Sequence, residues 1–136
     1  MVSEVQLLSI SLFTSVNLEP KHCADSIQAD QTVPPNVTRH YYDSVMARDP
    51  SVHDYYRLFE APGLDHCFGG SGLFPPAVFD TMVEWVEKKI APDTLDAVSL
   101  GTPKDQRKHR ILCPYPAKAR YKGTGDGWAR ESFYCG

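Results

Sequence analysis

His66 stands in the stretch Ala61-Pro62-Gly63-Leu64-Asp65-His66-Cys67-Phe68-Gly69-Gly70, directly after the apolar and aromatic run Tyr55 to Phe59. An imidazole placed where a buried strand empties into a loop can reach a cleft while the strand holds its backbone still, as a hydrolytic general base requires. Cys67 beside it could lock that loop through a disulfide or a metal. A second His-Cys pair, His22-Cys23, would bring the ligand count to four. Adjacent ligands rarely converge on one tetrahedral ion, however, and structural zinc sites space paired ligands by two to four residues, so no metal site is expected. Hydrolase chemistry also needs a nucleophile, which in α/β enzymes sits in a Gly-x-Ser-x-Gly turn between a strand and a helix. The nearest stretch, Gly69-Gly70-Ser71-Gly72, continues with Leu73 and follows the histidine, so Ser71 is not expected to fill that role.

The elements that must hold His66 are legible around it. Tyr55 to Ala61 reads as a strand, because aromatic and branched residues dominate it and Pro62-Gly63 closes it. Upstream, Pro34 to Thr38 forms a turn that feeds a short helix, with Thr38 as its cap and Tyr41, Tyr42, Val45 and Met46 on an apolar face. Downstream, Pro75-Pro76 opens a second helix with Phe79, Met82, Val83, Val86 and Ile90 on one face, Glu84, Glu87 and Lys88 opposite, and Trp85 packing beside the apolar stripe. Arg110 to Cys113 is the last strand, preceded by a solvated loop over Lys104 to Arg110. Tyr41, Tyr42, Tyr55 and Tyr56 are expected in the packing. A helix, a strand, a histidine loop and a helix in succession predict an α/β fold, an open parallel sheet with covering helices.

At 136 residues the chain suffices for one domain. The formal charge of −3, with no basic run beyond Arg107-Lys108-His109-Arg110, gives no footprint for nucleic acid. No stretch approaches the ~20 apolar residues of a membrane-spanning helix. Val5 to Val16 is apolar enough for a secretory signal, but Glu4 stands where a positive charge belongs, which makes a signal peptide in this chain doubtful. The four cysteines, Cys23, Cys67, Cys113 and Cys135, permit three pairings into two bridges. Cys113 and Cys135 bracket a tail rich in Pro, Gly, Lys and Tyr with little to bury, so that pair is expected to be bridged, which implies an oxidising compartment. Asn36-Val37-Thr38 is an N-glycosylation sequon, with Asn36 as the acceptor.

Several motifs in fixed order give the chain a family resemblance from about residue 29 to the end. They are Ala29-Asp30-Gln31-Thr32-Val33-Pro34-Pro35-Asn36-Val37-Thr38 with Tyr41-Tyr42, Tyr56-Arg57-Leu58-Phe59 with Pro62-Gly63, and His66-Cys67-Phe68-Gly69-Gly70-Ser71-Gly72. Trp85-Val86-Glu87, Ala91-Pro92, Arg110-Ile111-Leu112-Cys113-Pro114-Tyr115-Pro116 and Phe133-Tyr134-Cys135 follow. Together they resemble the C-terminal end of the tannase and feruloyl esterase family, secreted α/β-hydrolases that cleave esters of plant phenolic acids. The resemblance implies the C-terminal part of an α/β-hydrolase fold, incomplete, over residues 29–136, preceded by a leader of uncertain origin over residues 1–28. It implies a carboxylic ester hydrolase with a Ser-Asp-His triad, the catalytic acid on Asp30 and the catalytic histidine on His66. Asp25 is the alternative acid.

The resemblance also implies a disulfide from the cysteine beside the histidine to the cysteine beside the nucleophilic serine, so Cys67 needs a partner outside this chain, with Cys23 as a substitute. The family's Cys-Ser-x-Gly-Gly nucleophile motif is missing, so the isolated chain is expected to be inactive, because triad members act as a unit. No cofactor is expected within it, since the family's calcium site lies in a lid domain outside these residues. Its implied partners are a gallate- or ferulate-type ester as substrate and an N-terminal esterase half joined through Cys67, with no nucleic acid and no membrane. A non-catalytic subunit completing an esterase is the alternative. The apolar strand expected before Ala29-Asp30 is replaced by the polar Ala24 to Gln28, and an exposed apolar sheet edge is expected where further strands belong.

Overall fold

A computed structural model of the chain describes residues 9–11, 22–27, 34–66 and 69–136. Its elements are β1 (Ser9–Ser11), β2 (His22–Ile27), α1 (Pro35–Arg48), β3 (Tyr56–Ala61), β4 (Leu73–Phe74), α2 (Val78–Lys88), β5 (Leu95–Ser99), β6 (His109–Leu112), β7 (Ala119–Tyr121) and β8 (Phe133–Cys135). Asp30 and Cys67 lie outside the described residues, as does most of the apolar N-terminal stretch.

β2 and β3 run parallel and in step, His22 opposite Tyr56 through Ile27 opposite Ala61, with α1 as the crossover between them. The polar stretch before Ala29 is therefore a strand after all, and the expectation that this strand was lost is corrected. Its pairing with β3, whose Leu58, Phe59 and Ala61 are buried, supplies an order that its own composition does not announce. β1 pairs antiparallel with the outer edge of β2 over His22 to Ala24, so that half of the edge is paired where an open one was expected.

The parallel sheet extends no further among the described residues. β4, β5 and β6 form a separate antiparallel sheet in that order, joined to β3 by a single bridge between Phe59 and Pro114. The predicted last strand exists as β6, but it pairs as a hairpin with β5, a strand not anticipated, through Leu95 opposite Leu112. The fold is mixed α/β, with one parallel pair where a parallel sheet was expected.

The main core lies between α2 and both sheets. It contains Phe59, Ala61, Leu64, Met82, Trp85, Leu95, Ala97 and Leu112. α2 buries Met82 and Trp85, with Val78 and Val86 packed against the same cluster, while Phe79 and Ile90 are more than half exposed. The helix is thus rotated from the expected face, because Trp85 and not Phe79 meets the core strands. A second cluster joins Tyr42 of α1 to Val52 and Leu58. α1 begins at Pro35, which suits the first turn since its missing N–H has no intrahelical role. Thr38 therefore falls inside the helix and caps nothing, and Tyr41 faces solvent at 62 % exposure, against expectation.

Candidate active site

His66 is positioned by three nested constraints. The first is β3, fully buried at Leu58, Phe59 and Ala61. The second is Leu64, which plunges back into the core two residues before the histidine and is 4 % exposed. The third is a pinched hairpin of backbone. Gly72 donates its N–H to the Gly63 carbonyl at 2.7 Å, Leu64 bridges Gly70, and Asp65 donates to Gly69 at 3.4 Å. Three residues separate Asp65 from Gly69, and His66, half-buried, is the first of them.

The glycines are dictated by that pinch. A Cβ on Gly70 would lie 2.3 Å from the Gly63 oxygen, and one on Gly72 would lie 2.3 Å from the Pro62 oxygen. Gly70 also has φ of +82°, a region that side chains disfavour. The two arms of the turn touch backbone to backbone, so the base of the His66 loop has little freedom. Ser71 is exposed between these glycines, on the returning arm.

The register of β2 and β3 fixes which loops share an end of the sheet. Ile27 and Ala61 are opposite one another, so the segments that follow them leave from adjacent carboxyl ends, about 4.8 Å apart. In open α/β sheets ligands bind outside those ends. Asp25, the alternative acid, stands within β2 opposite Phe59, two residues short of the end. His22 is at the amino end of β2, opposite Tyr56, the full length of the strand pair from the loop that carries His66. Among the described residues no group of three or more His, Cys, Asp or Glu side chains is disposed to hold a metal ion.

A contact that sequence reasoning missed braces the same end of β3. Arg39 of α1 donates from Nε to the Glu60 carboxylate at 2.9 Å and pairs with it again through a second nitrogen, which holds the Arg39 charge above its ordinary range. Glu60 is the penultimate residue of β3, one before Ala61, and its side chain is 12 % exposed. The spacing of 21 residues left no local signal, although an Arg on a helix before a strand that ends in Glu is compatible with such a tie. Below it, Tyr42 is completely buried. Its hydroxyl donates to the Tyr56 carbonyl at 3.0 Å and lies 3.0 Å from His53 Nδ1. Since the phenol has one proton, His53 must supply the other.

At the far end of the chain, Cys113 and Cys135 are bridged as expected, with Cα atoms 5.7 Å apart. The link ties the end of β6 to β8. Asn36, the sequon residue, is exposed in the first turn of α1.

Residues 25–136 match the model of the family described as tannase and feruloyl esterase. The chain is 42 % identical over 101 residues to a mono(2-hydroxyethyl) terephthalate hydrolase of Piscinibacter sakaiensis, covering 72 % of this chain and 17 % of that protein. It is 38 % identical over 113 residues to a probable feruloyl esterase of Arthroderma benhamiae, covering 79 % and 21 %. Its fold matches the crystal structure of feruloyl esterase B from Aspergillus oryzae with a TM-score of 0.71 at 26 % identity, over 83 % of this chain and 26 % of that one. The chain thus spans about a fifth of the length of the curated relatives it matches. With the match running through β3, the His66 turn and the bridged C-terminal strands, the chain belongs to the tannase and feruloyl esterase family of carboxylic ester hydrolases.

Proposed function

We propose that these residues supply the acid and the base of a Ser-Asp-His triad in a carboxylic ester hydrolase that cleaves phenolic-acid esters of the gallate or ferulate type. His66 takes the proton of the serine and returns it to the leaving alcohol, while Asp30 orients the imidazole and stabilises its charged form. The observation that carries this reading is the parallel register of β2 with β3. It starts the segments that lead to Asp30 and to His66 from neighbouring carboxyl ends, and Asp30 follows Ile27 by three residues in the sequence. The names of the relatives, which are ester hydrolases, support the reaction class.

The nucleophile is not among the 136 residues, and Cys67 joins the cysteine beside it in an N-terminal esterase half. The chain by itself is inactive and takes no cofactor, acting in an oxidising, extracellular setting with Asn36 open to glycosylation.

The test is complementation. The chain is co-expressed with the N-terminal four-fifths of a family esterase, and hydrolysis of methyl ferulate is followed with each part alone and together. Activity should appear only in the pair, with Cys67 recovered in a linked peptide carrying Cys-Ser-x-Gly-Gly. In the pair, Asp30→Asn should lower kcat by about 10⁴-fold and His66→Ala by at least as much. Full activity of the His66→Ala pair, or turnover by the chain alone that Ser71→Ala abolishes, would overturn the assignment.

A further inference from the structure

Arg110, on β6, carries its charge without an acceptor among the described residues. Its guanidinium carbon lies 4.7 Å from the ring centre of Trp128 and 4.8 Å from that of Phe133. The two rings attract the cation but accept none of its hydrogen bonds well. Its Nε is buried and has no hydrogen-bond partner. A buried, unpaired donor is costly and uncommon in folded proteins, so the two rings hold a cation whose terminal nitrogens are left for an acceptor.

The space for such an acceptor is present. Arg110 borders a groove of about 320 Å³ whose apolar lining includes Pro62, Leu73, Ile111 and Leu112, with Lys118 also on its wall. Lys118 has no ion-pair partner among the described residues, whereas Glu60, the acid bordering the groove, is committed to Arg39. The surrounding field has the same sign. Residues 104–136 hold eight of the fourteen Lys and Arg of the chain but only three of its seventeen Asp and Glu.

From this arrangement we infer that the groove binds a carboxylate carried on an apolar body, such as a small aromatic acid. The planar fork of Arg110 matches a carboxylate in two parallel hydrogen bonds, Lys118 adds a second charge, and the apolar walls take the ring. Inorganic anions would have to leave their hydration at those walls without replacement. The arginine is already held in place. Phe133 sits on β8, which the Cys113–Cys135 bridge ties to the end of β6, and His109, next to Arg110, donates its N–H to the Trp128 carbonyl at 2.8 Å. A preset donor loses little freedom on binding. The site lies beside the His66 turn, with Pro62 and Leu73 on its wall, but uses none of the proposed triad residues.

The experiment is a calorimetric titration of the 136-residue chain with benzoate at low ionic strength, set beside benzyl alcohol and inorganic phosphate. Benzoate should bind saturably at one site, while the neutral alcohol and phosphate bind at least about tenfold more weakly, since the paired charge is worth about that factor. Arg110→Gln should weaken benzoate about tenfold and Lys118→Met about threefold, with near-ultraviolet circular dichroism reporting the fold. Should Arg110→Gln unfold, Arg110→Lys keeps a cation between the rings and should still weaken binding severalfold, because the fork is lost. Absence of saturable benzoate binding, phosphate binding as tightly as benzoate, or benzoate affinity unchanged in folded Arg110 variants would overturn the site.

Discussion

The turn that carries His66 and the C-terminal ribbon of β7 and β8 are both Gly-rich excursions from a core strand, yet they are held by opposite means. The turn is fixed from within, by Leu64 in the core and by backbone pressed on backbone at Gly63, Gly70 and Gly72. The ribbon buries little of itself. Phe133 and Ser132 are buried, but Tyr121, Trp128 and Tyr134 are each more than 40 % exposed, and the Cys113–Cys135 bridge with stacked Lys108 and Arg110 supplies what apolar burial does not. The difference shows what each must do. On the function proposed above, a loop that presents a general base needs a fixed backbone, whereas a surface ribbon needs only to remain attached.

The most damaging way to break this contrast is Gly72→Ala. The added methyl would lie 2.3 Å from the Pro62 oxygen, with no flexible side chain to move aside. Overpacking of backbone against the new methyl should cost at least about 3 kcal/mol. A urea titration should show the loss in its midpoint, while an alanine at Gly127, whose Cβ would meet no atom within 4 Å and whose φ is not left-handed, should cost far less. Equal losses at the two glycines would mean that the turn is not pinched as described.

Next in size is the ribbon's own fastening. Replacing Cys113 and Cys135 by alanine opens a closure of 22 residues, which on the chain-entropy model should cost about 3 kcal/mol. Hydrogen exchange should rise first in β7 and β8, with the amides of β3 and the His66 turn changing less. Uniform exchange across the molecule would sink the division into two modes of attachment.

How far these regions were legible in the sequence follows the same division. The β3 strand, its Pro-Gly exit and the histidine beyond it were readable because the signals are local and contiguous. The Cys113–Cys135 bridge was readable because a tail with little to bury needs one. The phase of α2 was legible only in part, since of the expected stripe Phe79, Met82, Val83, Val86 and Ile90 it is Met82 and Val86 that meet the core, joined by Val78 and Trp85 while Phe79 and Ile90 are exposed. Packing against β3, β5 and β6 sets the phase, and β5 is five residues, Leu-Asp-Ala-Val-Ser, too small and mixed to stand out. β2 was missed for a related reason, because its order comes from its partner strand and not from its own residues. The turn that carries His66, the proposed base, was legible in the sequence. The Arg39–Glu60 brace behind it, 21 residues apart, was not.

Where the two regions meet, Tyr42 offers a pH-dependent probe. Its ring packs edge-on against Tyr115, at the start of the C-terminal segment, and its hydroxyl is bonded to the carbonyl at the head of β3. Burial pushes its phenol from 10 up to about 12. The folded state therefore holds the proton more tightly than the unfolded chain, so this contribution is complete below pH 10 and is lost as pH rises through 12. The effect should be on the order of 2 kcal/mol, visible as an alkaline fall in stability between those limits. Tyr42→Phe should remove that fall while losing about 1 kcal/mol at neutral pH for the missing hydrogen bond. An unchanged alkaline profile in the variant would assign the titration elsewhere.

The smallest expected effect is also the sharpest test of how the ribbon is held. Trp128 receives Lys108 at 4.1 Å and Arg110 at 4.7 Å from its ring centre, and it is 43 % exposed. Cation–π contacts at such exposed positions are worth about 0.5–1 kcal/mol each, so Trp128→Ala should cost about 1 kcal/mol while the bridge is intact. With the bridge removed, the same substitution acts on a ribbon whose remaining anchors are Phe133 and these stacked cations. The two losses should then exceed their sum, giving a coupling energy of at least about 0.5 kcal/mol in a double-mutant cycle. Leu64→Ala in the His66 turn should instead cost about 2–5 kcal/mol and add independently to loss of the bridge, because its contacts lie in the core beneath α2. Strict additivity of Trp128→Ala with loss of the bridge would mean that the stacked cations do not help hold the ribbon, and that the disulfide alone fixes it.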